Sequence, residues 1–263
     1  ARRADLTESL VLALTYEVAA LVELGQLGRA EAPLRYAEAL AEDAPVDRFR
    51  WWCASWRALL HFARGELVDA DSRFEHALGL LSNQAKADAF DCYAAQIAAH
   101  RLLTGRAVEV ADAALAVSEA QPHLLVYRAV AARCYAELGD ADQATALVAE
   151  MAAPGLEQLP NNIMLPTTLT LLAETAHACS LAEYAEPLGA ALAPIAHQHA
   201  VINVWGGGGF YWGAVRHGYG LALHLGGDTD AGVAELRRAA REQADAGAVV
   251  FAARSEQAAS SLA

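Results

Sequence analysis

The sequence predicts an all-α fold built from repeated helix pairs, and three observations carry that expectation. Of the 263 residues, 63 are alanine, the strongest helix former, and 55% are hydrophobic while only 7% are aromatic. Amphipathic stretches of helical period recur with turn residues between them, and strand alternation is absent. A fixed pattern of small and apolar residues also repeats along the chain. A β-sandwich of this length would need many more β-branched and aromatic residues.

The repeat is clearest at Ala58-Leu59-Leu60-His61-Phe62-Ala63-Arg64-Gly65-Glu66-Leu67-Val68-Asp69-Ala70, continuing to Phe74, Ala77 and Leu78. With Gly65 as the turn, equivalent anchors fall at Gly25, Gly105, Gly139, Ser180 and Gly227, at spacings of 40, 40, 34, 41 and 47 residues. Five residues after the anchors stand Ala30, Ala70, Val110, Ala144, Ala185 and Gly232, and twelve after stand Ala37, Ala77, Val117, Met151, Leu192 and Ala239. Ala58, Ala132 and Gly220 supply the small residue of the preceding helix in the second, fourth and sixth units. The helix pairs are expected over 8–45, 48–84, 86–121, 122–153, 163–196 and 211–246, followed by a final helix over 248–262. Each unit buries its apolar face only against its neighbours, so a continuous core of sequence-local contacts is expected rather than a pocketed globule.

Two segments break the rhythm. Ala152–Asn162 holds Pro154, Gly155 and Pro160, with Pro166 close behind, and reads as a long inter-repeat loop because proline removes a donor and disfavours helix before it. Trp205-Gly206-Gly207-Gly208-Gly209-Phe210-Tyr211-Trp212-Gly213 reads as a structural loop whose aromatics form a hydrophobic plug. A phosphate cradle ahead of a helix N-terminus is the alternative there, without a following lysine or a preceding strand to support it.

This helix–turn–helix pattern resembles the tetratricopeptide repeat, which implies an all-α superhelix of about six helix pairs plus a C-terminal helix, an α-solenoid. The run Leu188–Pro194, the glycine–aromatic break, Gly220-Leu221-Ala222-Leu223, Gly227-Asp228, Glu235-Leu236-Arg237-Arg238-Ala239-Ala240 and Ala246-Gly247-Ala248 narrow it. They are similar to the C-terminal repeat region of large bacterial ATP-dependent regulators of LuxR type, some linked to cyclase domains. That resemblance implies a non-catalytic, cytoplasmic interaction and signal-sensing module. Its partner would be a protein, a peptide or a small-molecule inducer, relayed to attached domains; a stand-alone peptide- or protein-binding scaffold is the alternative. No phosphate-binding loop of the GxxxxGK[ST] kind and no basic helix-turn-helix occurs in the chain, so such activities would reside in flanking domains.

Charge points the same way. The formal net charge is −13 and Lys86 is the single lysine, so nucleic acids and anionic membranes would be repelled. Apolar windows such as Leu10–Leu24 and Ala94–Leu103 fall short of the roughly 18 apolar residues that span a bilayer, and a soluble chain is expected. Its opening Ala1-Arg2-Arg3-Ala4-Asp5 leads straight into an amphipathic pattern, as in a piece of a longer protein. Cys53, Cys92, Cys134 and Cys179 lack metal-type spacing and read as buried thiols of a reducing compartment. His197 and His199 form an HxH expected in a solvated loop. Neither a cofactor nor a catalytic constellation is expected.

In a tetratricopeptide array, positions 13, 10, 6 and 3 before each anchor point into the concave face. Counting back gives Trp52, Ser55, Leu59 and Phe62; Cys92, Ala95, Ala99 and Leu102; Val126, Ala129, Arg133 and Ala136; Thr167, Thr170, Glu174 and His177; and Ala214, His217, Leu221 and His224. The expected groove is apolar at its N-terminal end, with Trp52, Phe62 and Leu102, and polar at its C-terminal end. There Arg133, Glu174, His177, His217 and His224 should share one surface, with histidines titrating near their ordinary pH.

Overall fold

The computed structural model describes residues 2–44 and 46–263, with side chains described from residue 6 onward except at 83–85, 87 and 88. The expectation placed on Ala1, and the side chains of 2–5, lie outside the described residues. The chain is mostly helical. Among the described residues there are thirteen α-helices and one two-stranded sheet.

The helices run α1 (Arg2–Glu23), α2 (Glu31–Glu42), α3 (Asp47–Ala63), α4 (Ala70–Gly79), α5 (Asn83–Leu103), α6 (Ala111–Ala120), α7 (Leu125–Glu137), α8 (Ala141–Ala152), α9 (Leu165–Ala178), α10 (Ala185–Leu192), α11 (Val215–Leu225), α12 (Thr229–Asp245) and α13 (Val249–Leu262). All six turn anchors are left-handed: Gly25, Gly65, Gly105, Gly139 and Gly227 have φ between +69° and +92°, and Ser180 has +57°. Each closes its helix with the same pair of hydrogen bonds. At Gly65, for example, its own amide donates to Phe62 O and the Glu66 amide to His61 O. This is the Schellman arrangement, which satisfies carbonyls that a helix end would leave orphaned. Gly247, at +82°, repeats the turn before α13. At the other ends, Asp140 and Asp228 cap α8 and α12 by accepting the amides of Gln143 and Ala231.

The small residues after the turns lie where paired helices meet. Ala30, Ala70, Ala144 and Ala185 are buried, and α11 and α12 cross at Gly220 and Gly232.

The glycine–aromatic segment departs from the expected loop. Residues His199–Val204 (β1) and Gly207–Ala214 (β2) form an antiparallel hairpin, with Val201 opposite Tyr211 and Ile202 opposite Phe210. The mostly helical expectation holds apart from this one hairpin, and α11 begins at Val215 rather than near 211. Trp205 and Gly206 make the two-residue connection, both with positive φ (+52° and +90°), as a I′ hairpin turn requires. Glycine occupies β2 because helices pack directly on its backbone. A Cβ on Gly207 would stand 2.7 Å from Ser55 Oγ, and one on Gly208 2.8 Å from the Trp56 ring. All eight residues of β2 are buried.

The hairpin packs against α3 and α5 on one side and α12 and α13 on the other, with β1 on α1 and α9. Phe251 of α13 meets the rings of Phe62, Tyr211 and Trp212 at centroid distances of 5.9, 4.9 and 6.1 Å, so the last helix reaches the second pair. The core is therefore not purely sequence-local: hydrogen bonds such as Trp52 to Trp205 span 153 residues. The reason is the hairpin, whose bare backbone supplies carbonyls and aromatic faces to helices from both halves. The segment after α8 holds a short 3-10 turn at Leu156–Gln158, after Gly155 at φ +98°.

Candidate functional site

The apolar and polar ends of the expected groove occupy different surroundings. Trp52, Phe62 and Leu102 are buried. Trp52 Nε1 donates to the Trp205 carbonyl, and Trp56 Nε1 donates to Gly206 O at 2.9 Å. Gln96 Nε2 donates to Gly208 O at 2.6 Å, and the Gly208 amide donates to Ser55 Oγ at 3.2 Å. Phe62 stacks among Phe74, His100 and Phe251. At this end the hairpin fills the space that the count from the turns assigns to a groove.

The polar end converges on Glu174, which α9 carries on its buried face. Glu174 Oε1 accepts from Trp212 Nε1 at 2.8 Å and from Arg254 at 3.1 Å, and Oε2 accepts from Arg133 Nε at 3.1 Å. His217 Nε2 lies 3.9 Å from the same carboxylate. Arg133 also reaches Glu137 at 3.3 Å, giving two cations and two anions. Arg254 lies over the Trp212 ring at 4.4 Å and donates to the Trp212 carbonyl. His217 Nδ1 meets Ser255 Oγ at 2.9 Å, while Gln243 Nε2 donates to that hydroxyl oxygen. With two lone pairs and one proton, the Ser255 hydroxyl serves both contacts. One turn away, His177 Nε2 and His224 Nδ1 are 3.0 Å apart.

The electrostatics follow from burial. Desolvation acts to raise the Glu174 carboxyl, but Arg254, His217 and Arg133 outweigh it and hold it below the usual range. His217 is pushed down to about 3, by burial first and then by Arg254. Burial and then His224 lower His177. Glu137 is raised, by burial and despite Arg133. The expectation of histidines titrating near their ordinary pH is therefore corrected for His177 and His217. These contacts pair the groups of the cluster with one another within the fold.

The structure thus brings Arg133, Glu174, His177, His217 and His224 together, while Trp52 lies against the hairpin, Phe62 among Phe74, His100 and Phe251, and Leu102 is buried. Counting back from turn anchors missed Trp212, Gln243, Arg254 and Ser255. Arg254 and Ser255 lie beyond the last repeat, where no anchor follows; their signal is an arginine on the same helical face as Phe251 of α13.

The HxH divides. His197 is exposed, whereas His199 is buried on β1, with Nδ1 2.8 Å from Tyr211 Oη, and burial lowers it to about 4. The solvated-loop expectation fails for His199 because β1 turns it toward the core. Among the described residues, no group of three or more His, Cys, Asp or Glu is placed to hold a metal ion. Cys53, Cys92 and Cys134 are buried and Cys179 is half-buried, all as free thiols; burial lifts the first three to about 12. No described helix is long and apolar enough to cross a membrane. Compared with known proteins, the chain matches no family model, no curated protein and no solved structure.

Proposed function

We propose that this chain is a non-catalytic, tetratricopeptide-like interaction and sensing module of a cytoplasmic bacterial transcriptional regulator of LuxR type. It would receive a protein, a peptide or a small-molecule inducer and pass the signal to flanking ATP-binding and DNA-binding domains. The observation that carries this reading is the recurrence of one left-handed helix-closing turn at six anchors, each followed five residues later by a small or β-branched residue at the helix contact. Equivalent turns at near-regular spacing are the mark of a repeat array. The hairpin would lie in the concavity of the array, and the Glu174 cluster would be the hinge at which α7, α9, α11 and α13 change their relative position. The net charge of −13 supports a reading in which any nucleic-acid contact would fall to another domain.

The coding sequence on either side of this segment tests the proposal. An ATP-binding module and a LuxR-type DNA-binding domain in the same reading frame would support it. Their absence would favour a stand-alone binding scaffold instead.

A further inference from the structure

The pairs α1–α2, α3–α4, α7–α8, α9–α10 and α11–α12 each pack directly against one another. Among the described residues α5 and α6 do not pack in this way; a short 3-10 turn at Ala107–Glu109 bridges them. Between them, α7 and the hairpin line a half-open cavity of about 600 Å³. Alanines make the room: Ala94 and Ala98 on α5 and Ala113 and Ala114 on α6 stand where larger side chains would close the helices together. The hairpin contributes Ile202, Asn203, Val204 and Phe210 to the wall. A cavity of this size lies within the range of pockets that enclose drug-sized molecules.

Its polar lining includes Asp91, Gln121, His123 and Asn203. Asn203 Oδ1 accepts the Gly206 amide at 2.9 Å, which fixes the orientation of the side-chain amide, since the reversed amide would set two donors against each other. Its Nδ2 is buried without a partner and is closed off from the cavity space, so Asn203 lines the wall with its other atoms. No lysine or arginine lines the cavity, and Asp91 does, beside Tyr127. An anionic ligand would meet a carboxylate and no fixed counter-charge.

We infer that this cavity is a binding site for a neutral, largely apolar small molecule of drug-like size. The site rests on the cavity and its wall and does not require the regulatory reading above.

The test is a fluorescence titration of the 263-residue chain with two neutral apolar dyes, Nile red, which carries a carbonyl, and diphenylhexatriene, which has no acceptor. Both should bind, Nile red at one per chain. Ala98→Phe and Ala113→Trp, each filling the space, should weaken both dyes at least tenfold in variants whose circular dichroism is unchanged. Two fillings are used because Ala98 is buried while Ala113 is exposed, so the second perturbs packing least. Absence of binding by both dyes, or binding that ignores Ala113→Trp in a folded chain, overturns the site.

Discussion

Gly220 of α11 and Gly232 of α12 face each other so closely that a Cβ on either would collide with the other's backbone. A Cβ on Gly220 would sit 2.9 Å from Gly232 O, and one on Gly232 would sit 2.8 Å from Gly220 O. Neither glycine has positive φ, so their presence reflects the approach of the helices and not the local backbone conformation.

Gly232→Ala should therefore destabilise the chain by about 1–3 kcal/mol, because overpacking against rigid backbone outweighs the roughly 1 kcal/mol that alanine gains over glycine in a helix. Gly189→Ala is the matched control: it also lies within a helix, its Cβ would meet nothing within 4 Å, and it should stabilise by about 0.5–1 kcal/mol. Urea denaturation midpoints moving the same way for both variants would refute the close-approach account.

Turns and small contact residues were legible in the sequence because glycine in a left-handed turn and alanine at a helix crossing each answer to a local steric demand. Gly65 and Ala70 needed no knowledge of distant partners. The hairpin was not legible, since Gly207–Gly209 look like loop residues until the helices resting on them are known. Ser55 and Trp56, about 150 residues earlier, are what exclude side chains there. The polar cluster was half legible: Arg133, Glu174, His177, His217 and His224 follow from helical spacing. Arg254 and Trp212 enter from elements outside the repeat frame.

The hairpin's glycines give a second test. A Cβ on Gly208 would lie 2.8 Å from Trp56 Cε3 and 2.9 Å from Leu59 Cδ2. Gly208→Ala should lower stability by about 1–3 kcal/mol and alter the near-ultraviolet circular dichroism of the buried tryptophans, while the far-ultraviolet helical signal persists below the new midpoint. An unchanged midpoint would mean that β2 does not lie on α3 as described.

Glu174 is the shared anion of Arg133 and Arg254. Glu174→Gln keeps an oxygen for Trp212 Nε1 but leaves two guanidinium groups facing each other with only Glu137 nearby. Breaking a buried pair by removing one partner costs about 3–5 kcal/mol. Thermal or urea unfolding should show a loss of that order. The double variant Glu174→Gln, Arg254→Met should recover part of it, because one of the two uncompensated cations is gone. A double variant no more stable than the single one would argue that Glu174 acts through packing alone.

The same burial sets a pH dependence whose direction can be worked out. His217 and His199 titrate in the folded chain at about 3 and about 4, against roughly 6.5 when unfolded. Between those limits the unfolded chain binds more protons than the folded one, so stability rises with pH through this window and is lost as pH falls below about 6.5. Each histidine contributes a slope of up to about 1.4 kcal/mol per pH unit, on the order of 3–5 kcal/mol in total by its folded value. Glu174, held below the usual carboxylate range, adds to the loss in the same direction once pH falls below its unfolded value. Urea unfolding at a series of pH values from 8 to 4 should show a plateau above about pH 7 and a decline below it. His217→Asn, which retains a partner for the Ser255 hydroxyl without a titrating ring, should make that decline shallower by about one proton's worth. A slope identical to that of the original chain would show that His217 is already accessible to protons in the folded state.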